Sequence, residues 1–273
     1  MKSDLVELQD NILYIAKYFD QLCRENDIQY FLLGGTALGA ARHGGFIPWD
    51  DDFDVCMKHK DYVRFCEIAK NKLDTEVFYF QEGNTKEWPL YFSKIRMNNT
   101  TYIEEDVRGR EMHHGIYIDI MCLNNTFSNK FLRYTQYLSA KLLSASALHR
   151  RGFITDSKMK KIVMKFVGPL VVSPVRKVLL GYVQILNRKQ DDSYLLSHFF
   201  GRAKFNNTSI KSKWAKFGRR VKFSSAEFSI MTDNEKYLSL RFGNSYMELP
   251  SESVKAQYPS HCSEYKVAEQ FKK

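Results

Sequence analysis

The chain has 273 residues, of which 44% are hydrophobic and 14% aromatic, so it can form a packed core and is too apolar to be disordered. Its five cysteines are widely spaced and contain no CxxC pair, which excludes a disulfide framework or a zinc cluster and favours reduced thiols. The net charge of +10 is unevenly distributed: residues 1–129 carry 14 Lys and Arg against 21 Asp and Glu, whereas residues 130–222 carry 21 against 3.

The first half of the chain alternates helices and strands. Apolar residues recurring at three- and four-residue steps predict a helix over 3–25. A short buried strand then leads through Gly34-Gly35 into a helix that starts near Thr36 and stops at Gly44-Gly45. A strand ending near Met57, a helix over 60–73 and strands within 76–83, 90–99, 101–106 and 114–123 follow. This order predicts an α/β (α+β) domain over 1–128, with a mixed sheet and flanking helices.

From residue 129 the pattern becomes helical. A long amphipathic helix is predicted over 129–151, with companions near 156–168 and 175–190, so 129–222 is predicted to be a mainly helical basic region. The apolar stretch 162–186 is broken by charges and prolines and is too short to span a membrane. A final helix is expected at 233–243, and the segment 223–273 is expected to pack back on the first domain.

Four aspartates stand close together in the stretch "WDDDFDV". On a strand, Asp50, Asp52 and Asp54 project to one face. The opposite face carries the apolar residues Phe53, Val55 and Met57 and is expected to pack on a helix. Crowded carboxylates raise one another's pKa unless a cation lies among them. Carboxylate oxygens suit Mg²⁺, with Mn²⁺ as an alternative. Asp119 lies in an apolar strand and needs a partner, either a shared metal or a residue that satisfies it as a plain buried acid.

The Gly-Gly turn before the second helix is a candidate phosphate site. Gly34 and Gly35 let backbone N–H groups approach an anion at the helix N-terminus, although such a pair is more often a plain turn. The Thr36 side chain either caps the helix or binds phosphate through its hydroxyl. The order Gly-Gly turn, helix, Asp-x-Asp and a later Asp is the pattern of the nucleotidyltransferase fold.

The stretch "GGTALGAARHGGFIPWDDDFDV" resembles the signature of the LicD family of phosphotransferases, which includes the fukutin-type enzymes. The resemblance continues through "KIR", "HGIYIDI" and "YLSLRFGNSYMELP" and so covers most of the chain in order. It implies a magnesium-dependent transferase that moves a phospho-alcohol from a CDP-linked donor to a glycan hydroxyl and releases CMP. Phosphocholine is the first choice among the phospho-alcohols. The implied acceptors are cell-surface glycans such as teichoic acid, lipopolysaccharide or capsule.

The resemblance implies that Asp52, Asp54 and Asp119 bind the metal and carry the catalysis, with Asp119 as a ligand or a general base. Arg42 and His43 end the second helix and are either dipole partners or phosphate binders. Lys94 and Arg96 share one strand face and either neutralise the donor diphosphate or form a solvent-facing pair. Trp49 either stacks on a base or headgroup or packs in the core. His114 lies in the motif but such residues are most often structural, and His261 is an open choice between the two roles.

Two other functions remain open from the residues alone. The same carboxylates would serve a nucleotidyltransferase that moves NMP to a small molecule, protein or RNA. Alternatively, the basic region, including 211–222, could mark a non-catalytic polyanion-binding protein, although no nucleic-acid motif surrounds it and no nucleic acid is expected as a partner. We expect an anionic glycan acceptor. Because no signal peptide is visible, we expect a cytoplasmic protein, with peripheral contact at the inner face of the plasma membrane as an alternative.

Overall fold

A mixed sheet with helices around it forms the centre of the molecule. The computed structural model describes residues 2–152, 157–188, 194–255 and 261–268. The helices are α1 (Lys2–Glu25), α2 (Gly34–His43), α3 (His59–Lys72), α4 (Lys130–Arg151), α5 (Lys158–Leu170), α6 (Ser173–Val183), α7 (Asn234–Phe242) and α8 (Glu252–Lys255). The strands are β1 (Phe31–Leu32), β2 (Asp54–Lys58), β3 (Phe78–Gln81), β4 (Phe92–Met97), β5 (Thr101–Glu104), β6 (Tyr117–Thr126), β7 (Leu195–Ser197), β8 (Ser209–Lys211), β9 (Gly218–Phe223), β10 (Ala226–Met231) and β11 (Cys262–Lys266). The predicted α/β (α+β) class is confirmed.

The central sheet has the strand order β1-β2-β6-β4-β3, and the end of β6 also pairs with β7, which pairs with β8. Only β2 and β6 run parallel; the other described pairs of this sheet are antiparallel. β2 and β6 are therefore central strands, and they are rich in buried apolar residues, as expected for strands covered on both faces. Two smaller antiparallel pairs, β9–β10 and β5–β11, lie outside this sheet.

Helix α1 covers one face of the sheet because its apolar residues follow the helical period. Leu8, Ile12, Phe19 and Leu22 are buried in the main core, and α1 contacts β4 and β6. On this basis the predicted helix over 3–25 is confirmed. The hairpin β9–β10 closes the same core with Phe223 and Phe228.

Helices α2 and α3 contact β2, whose apolar face was predicted to pack on a helix, while Phe53 just before the strand packs against aromatic rings. Its ring centroid lies 5.4 Å from that of Phe223 and 5.1 Å from that of Phe228, both on the β9–β10 hairpin. Edge-to-face packing of these rings therefore holds the hairpin against the start of β2.

Residues 129–222 combine helices with strands. Helices α4, α5 and α6 overlap the predicted helices, but α6 ends at Val183, so residues 184–188 of the helix predicted near 175–190 are not helical. Residues 156 and 189–190 of the predictions lie outside the described residues. From Leu195 onward the segment forms β7, β8 and β9, strands that were not predicted from the sequence. The three-residue strands β7 and β8 are too short to show a period in the sequence.

A second apolar cluster lies beneath α4 and α6. It contains Ala140, Leu143, Val171, Val183 and Phe199 and is separate from the main core. Within the described ranges, none of the helices is both apolar enough and long enough to span a bilayer.

Candidate active site

Strand register brings three charged residues to facing positions. Asp54 on β2 pairs with Asp119 on the parallel strand β6, and Asp119 pairs in turn with Lys94 on the antiparallel strand β4. Residues directly opposite each other on neighbouring strands have adjacent side chains. The site is therefore built across three central strands, which fix its geometry.

The partner of Asp119 is Lys94. The Lys94 Nζ lies 2.8 Å from Asp119 Oδ1, and only 1% of the lysine is exposed. The same Nζ lies 3.1 Å from the centroid of the Tyr117 ring, so the ring face adds a cation–π contact. Burial lowers the pKa of Lys94, while the Asp119 charge opposes that fall. One of the two predicted alternatives placed Lys94 on the solvent-facing side, and its burial shows that this alternative is wrong.

Three carboxylates lie together beside this ion pair. Burial, followed by repulsion from Asp52, raises the pKa of Asp50. Burial also raises the pKa of Asp52, although His261 opposes the rise. The pKa of Asp54 is raised well above its usual range by burial and then by Asp52, Asp119 and Asp50. Lys94 and His261 therefore offset only part of the burial and mutual repulsion of these carboxylates.

The Gly34-Gly35 turn lies directly against these carboxylates. Gly34 has a φ of +56°, a left-handed conformation that glycine adopts without strain. A Cβ at Gly34 would lie 3.3 Å from Asp54 Oδ2, and one at Gly35 would lie 2.8 Å from Asp50 Oδ2. Both positions therefore need glycine, because a side chain would collide with the acid site or strain the turn.

One predicted alternative was that Thr36 caps helix α2, and this alternative is wrong. The helix begins at Gly34, with Leu33 at the N-cap and no side-chain cap, so Thr36 already lies within the first turn. Its hydroxyl accepts a hydrogen bond from the Asp54 backbone N–H at 2.8 Å. The Gly34 N–H donates to the Tyr237 hydroxyl at 2.8 Å, which ties the turn to α7. These two bonds fix the turn against the start of β2.

Asp51 and His261 belong to the site although the sequence did not single out Asp51. Asp51 is 2% exposed and accepts hydrogen bonds from the Tyr102 hydroxyl and the Cys262 N–H, each 2.8 Å long. The His261 Nδ1 lies 3.4 Å from Asp51 Oδ1 and 3.7 Å from Asp52 Oδ2. The hydrogen bond to Asp51 and the charge of Asp52 raise the pKa of His261. The sequence signal was weak, because these partners are about 210 residues apart.

Arg42, His43 and Trp49 form a neighbouring group. Arg42 donates to the carbonyls of Tyr246 and Glu248 at 3.0 and 2.9 Å and so anchors the segment after α7. The His43 and Trp49 rings meet edge to face, with centroids 6.4 Å apart. Trp49 is half-buried and adjacent to Asp50, whereas Arg42 is occupied by backbone carbonyls.

Arg96 and His114 are held by structural contacts. Arg96 is 1% exposed, and it donates to Gln81 Oε1 at 2.9 Å and to the Gly115 carbonyl at 2.8 Å. The solvent-facing alternative for Arg96 is therefore wrong. The His114 Nε2 lies 2.8 Å from the Arg110 carbonyl and stabilises the loop before β6. Neither residue reaches the carboxylates through a direct hydrogen bond or ion pair among these contacts.

The carboxylates are compatible with a divalent cation. No group of three or more His, Cys, Asp and Glu side chains forms a metal-holding cluster in the parts of the chain that the structure describes. Mg²⁺ does not require one, because it is usually bound by one or two carboxylates together with substrate phosphates and water. The all-oxygen donor set and the mutual repulsion of Asp50, Asp52 and Asp54 fit such an ion.

Comparison with known proteins identifies the domain that carries this site. Residues 27–136 match the family model described as LicD/FKTN/FKRP, nucleotidyltransferase domain. These residues form a LicD-family domain. The interval includes the Gly-Gly turn, the aspartate run, Lys94 and Asp119, and the family resemblance read from the sequence is confirmed.

Relatives of the LicD-family domain differ in how much of the chain they share. The lipopolysaccharide cholinephosphotransferase LicD of Haemophilus influenzae is 28% identical over 277 residues, covering 96% of this chain and 98% of that protein. The human ribitol 5-phosphate transferase FKRP is 44% identical over 52 residues, 19% of this chain and 10% of that protein. The Mannosyltransferase regulator 4 of Saccharomyces cerevisiae is 26% identical over 146 residues, 51% of this chain and 12% of that protein.

Proposed function

We propose that this protein is an enzyme that transfers a phospho-alcohol from a CDP-linked donor to a hydroxyl of a cell-surface glycan and releases CMP. Phosphocholine is the phospho-alcohol that we propose before the others. The observation that carries the proposal is the facing register of Asp54 and Asp119 beside the Gly34-Gly35 turn. Similarity to a cholinephosphotransferase over nearly the whole of both chains supports the choice of phosphocholine and a glycan acceptor. Teichoic acid, lipopolysaccharide and capsule are the acceptor classes we propose.

Asp52 and Asp54 are the residues that would hold a magnesium ion, with Asp119 as a third ligand or as the general base. When bound, Mg²⁺ neutralises phosphate charge and stabilises the leaving phosphate. The first turn of α2 directs its N–H groups and positive dipole end toward an anion, so it favours the donor phosphates beside Asp54. Lys94 orients Asp119, because its Nζ lies 2.8 Å from one carboxylate oxygen.

Metal-dependent donor binding tests this proposal. Mg²⁺ and CDP-choline together are expected to raise the Tm of the wild-type protein, since a ligand at 100 times its Kd adds about 2.7 kcal/mol of stability. The Asp54→Asn variant is expected to lose this rise, whereas the Asp74→Asn variant, an exposed aspartate on the loop after α3, is expected to keep it. A full rise in Asp54→Asn would refute the assignment of the site. CDP-ribitol, CDP-glycerol and CDP-ethanolamine in the same assay would rank the donors.

A nucleotidyl transfer is the second candidate, because the matched family model is described as a nucleotidyltransferase domain. Both reactions use the same carboxylates, so product analysis separates them. Release of CMP with a phospho-alcohol on the acceptor supports the first function. A nucleotide attached to the acceptor supports the second.

We also propose that helices α4–α6 contact an anionic membrane surface on which the acceptor is presented. Residues 130–188 contain twelve Lys and Arg and a single acidic residue. Most of the exposed large apolar side chains of the described chain lie on these helices or their connections, among them Phe166 at 62%, Leu170 at 73% and Val178 at 72% exposure. Apolar side chains among cations are typical of helices that lie in the interface of an anionic bilayer.

A further inference from the structure

A cleft of about 680 Å³ opens between the loop before β4, the C-terminal end of α4 and the N-terminal end of α6. Its volume is that of a site for a small molecule or a sugar unit. None of the carboxylates of the candidate active site lines it. Five cations do, and none of the described lining residues is acidic: Lys86, Arg110, Arg150, Arg176 and Lys177.

Backbone carbonyls, rather than carboxylates, hold two of these cations in place. Arg110 donates to the carbonyls of Arg150 at 3.1 Å and Lys86 at 3.4 Å, and Arg150 donates to the Pro89 carbonyl at 3.3 Å. A carbonyl positions a guanidinium without neutralising its charge. Burial lowers the pKa of Arg150, and the neighbouring Arg176 lowers it further. The cleft thus maintains like charges that an anion would stabilise.

Two polar features of the lining point to a ligand. Tyr91 is 8% exposed, and its hydroxyl lies beside the Arg150 guanidinium, so it adds a polar group to the cations of the lining. Its ring stacks on Phe200 with centroids 4.5 Å apart, which fixes the hydroxyl at the cleft. Ser173 begins α6, an eleven-residue helix without a side-chain cap; Pro174 has no N–H, so the N–H groups of Ser173 and Val175 and the positive dipole end are what this terminus adds.

The cleft lies close to the candidate active site through a single tryptophan. The Trp88 ring centroid is 5.0 Å from Lys94 Nζ and 4.6 Å from Arg151 Cζ. Lys94 belongs to the acid site, and Arg151 is adjacent to Arg150 of the cleft. Because Trp88 is fully buried, it joins the two sites through the protein interior, and the cleft lies within two side-chain contacts of Lys94, whereas the donor diphosphate is required at Asp52 and Asp54.

We propose that this cationic cleft binds a phosphate group carried by the glycan acceptor. The proposal rests on the function proposed above, because it assigns the cleft to the acceptor of that reaction. Guanidinium and ammonium groups with a tyrosine hydroxyl and helix N–H donors match the tetrahedral array of phosphate oxygens. A concave site of this volume favours a sugar phosphate over the flat surface of a membrane.

Inorganic phosphate is the first probe, and it is titrated into the full chain by calorimetry. EDTA is present to remove divalent cations, so that the carboxylates of the candidate active site repel the phosphate. The test variant is Lys86→Gln/Lys177→Gln, since both lysines are exposed and the fold does not depend on burying them. The charge-matched control is Lys60→Gln/Lys266→Gln, at exposed positions away from the cleft. We expect the test variant to lose about tenfold or more in phosphate affinity, because each charge-assisted hydrogen bond contributes on that order. Equal affinity in the two variants would overturn the site.

The second arm measures transfer from CDP-choline to a phosphate-bearing glycan and to the same glycan after phosphatase treatment. We expect the test variant to raise the KM for the phosphate-bearing acceptor and to leave the KM for CDP-choline unchanged. An unchanged acceptor KM would overturn the assignment to the acceptor, and reduced binding to phosphatidic acid vesicles would then identify a lipid headgroup as the source of the phosphate. If the wild-type protein transfers nothing, the proposed function fails, while the phosphate titration still decides whether the cleft binds phosphate.

Discussion

The acid site and helices α4–α6 use charge in opposite ways. At the acid site, Asp54, Lys94 and Asp119 lie at paired positions of three neighbouring strands, and Lys94 is almost fully buried. On α5 and the start of α6, Lys161, Lys165 and Lys177 are exposed beside exposed apolar residues. Charge is therefore fixed by strand register in the first region and presented to solvent in the second.

This difference indicates where each kind of mutation acts. A buried charge that loses its partner remains without water, so removal of that partner lowers the free energy of unfolding. Removal of an exposed cation leaves its neighbours hydrated, so it changes the affinity for a ligand and not the stability of the fold. We therefore expect substitutions in the sheet to change folding and chemistry together, and substitutions on α4–α6 to change association alone.

The largest effect on stability is expected from Lys94→Met. This change leaves Asp119 as an unpaired buried acid, and breaking such a pair costs about 3 kcal/mol or more. Urea unfolding measures the loss. The double variant Lys94→Met/Asp119→Asn is expected to recover part of it, because the uncompensated charge is gone. Lys70→Met, which removes a cation 2.8 Å from Glu82 at an exposed pair, is the control and is expected to cost less than about 0.5 kcal/mol. Similar losses in Lys94→Met and Lys70→Met would contradict the comparison.

A second effect is expected at His198, which lies where the sheet meets α4. Burial lowers the pKa of His198 to about 4, and the charges of Lys141 and Arg241 add to the fall, although the Cys122 carbonyl opposes it. Because the unfolded chain binds this proton near pH 6.5, stability present above that pH is lost as the pH falls toward 4. The loss amounts to roughly 3 kcal/mol.

The free energy of unfolding of wild type and His198→Gln, measured from pH 7 to pH 4, tests this prediction. The glutamine side chain can still donate to the Cys122 carbonyl but does not titrate. We expect the stability of the variant to fall less steeply with decreasing pH over this range. Parallel curves for the two proteins would show that His198 is not the group responsible.

The sequence predicted local elements well and long-range partners poorly. The helix over 3–25 and the Gly-Gly turn follow from residue period and type, which are local properties. That Lys94 is the partner of Asp119 depends on how β4 pairs with β6, and no local pattern reports this register. The contacts of Asp51 with residues 261 and 262 depend on where the end of the chain returns. The cap predicted at Thr36 failed because α2 begins two residues earlier, at Gly34.

A smaller effect, on association alone, is expected from Phe166→Ser/Leu170→Ser on α5. Burial of exposed apolar side chains in the bilayer interface adds to the attraction between cations and anionic lipids, so the loss is expected to be about tenfold in vesicle affinity. Cosedimentation with phosphatidylglycerol vesicles measures it. The control is Met247→Ser/Leu249→Ser, at positions that are also exposed but lie outside α4–α6. Equal losses in the two variants would remove α5 from the proposed membrane contact.

The smallest expected difference is in the stability cost of replacing two neighbouring arginines of β9. It tests whether every cation of the basic region is available to a ligand. Arg220 donates to Asp20 Oδ2 at 3.0 Å, and Asp20 is 5% exposed, whereas Arg219 forms an exposed pair with Glu235. Burial alone would raise the pKa of Asp20, but hydrogen bonds from Arg220, Tyr30 and Arg24 lower it.

Arg220→Gln is expected to cost about 1 kcal/mol of stability, since Arg220 itself is partly exposed and Tyr30 and Arg24 still bind Asp20. Arg219→Gln is expected to cost less than about 0.5 kcal/mol. Urea unfolding measures both. Because Arg220 is already paired inside the protein, neither its loss nor its charge reversal should act mainly through the acceptor. If Arg220→Gln raised the KM for the acceptor with no loss of stability, Arg220 would contact the acceptor and its pairing with Asp20 would not be structural.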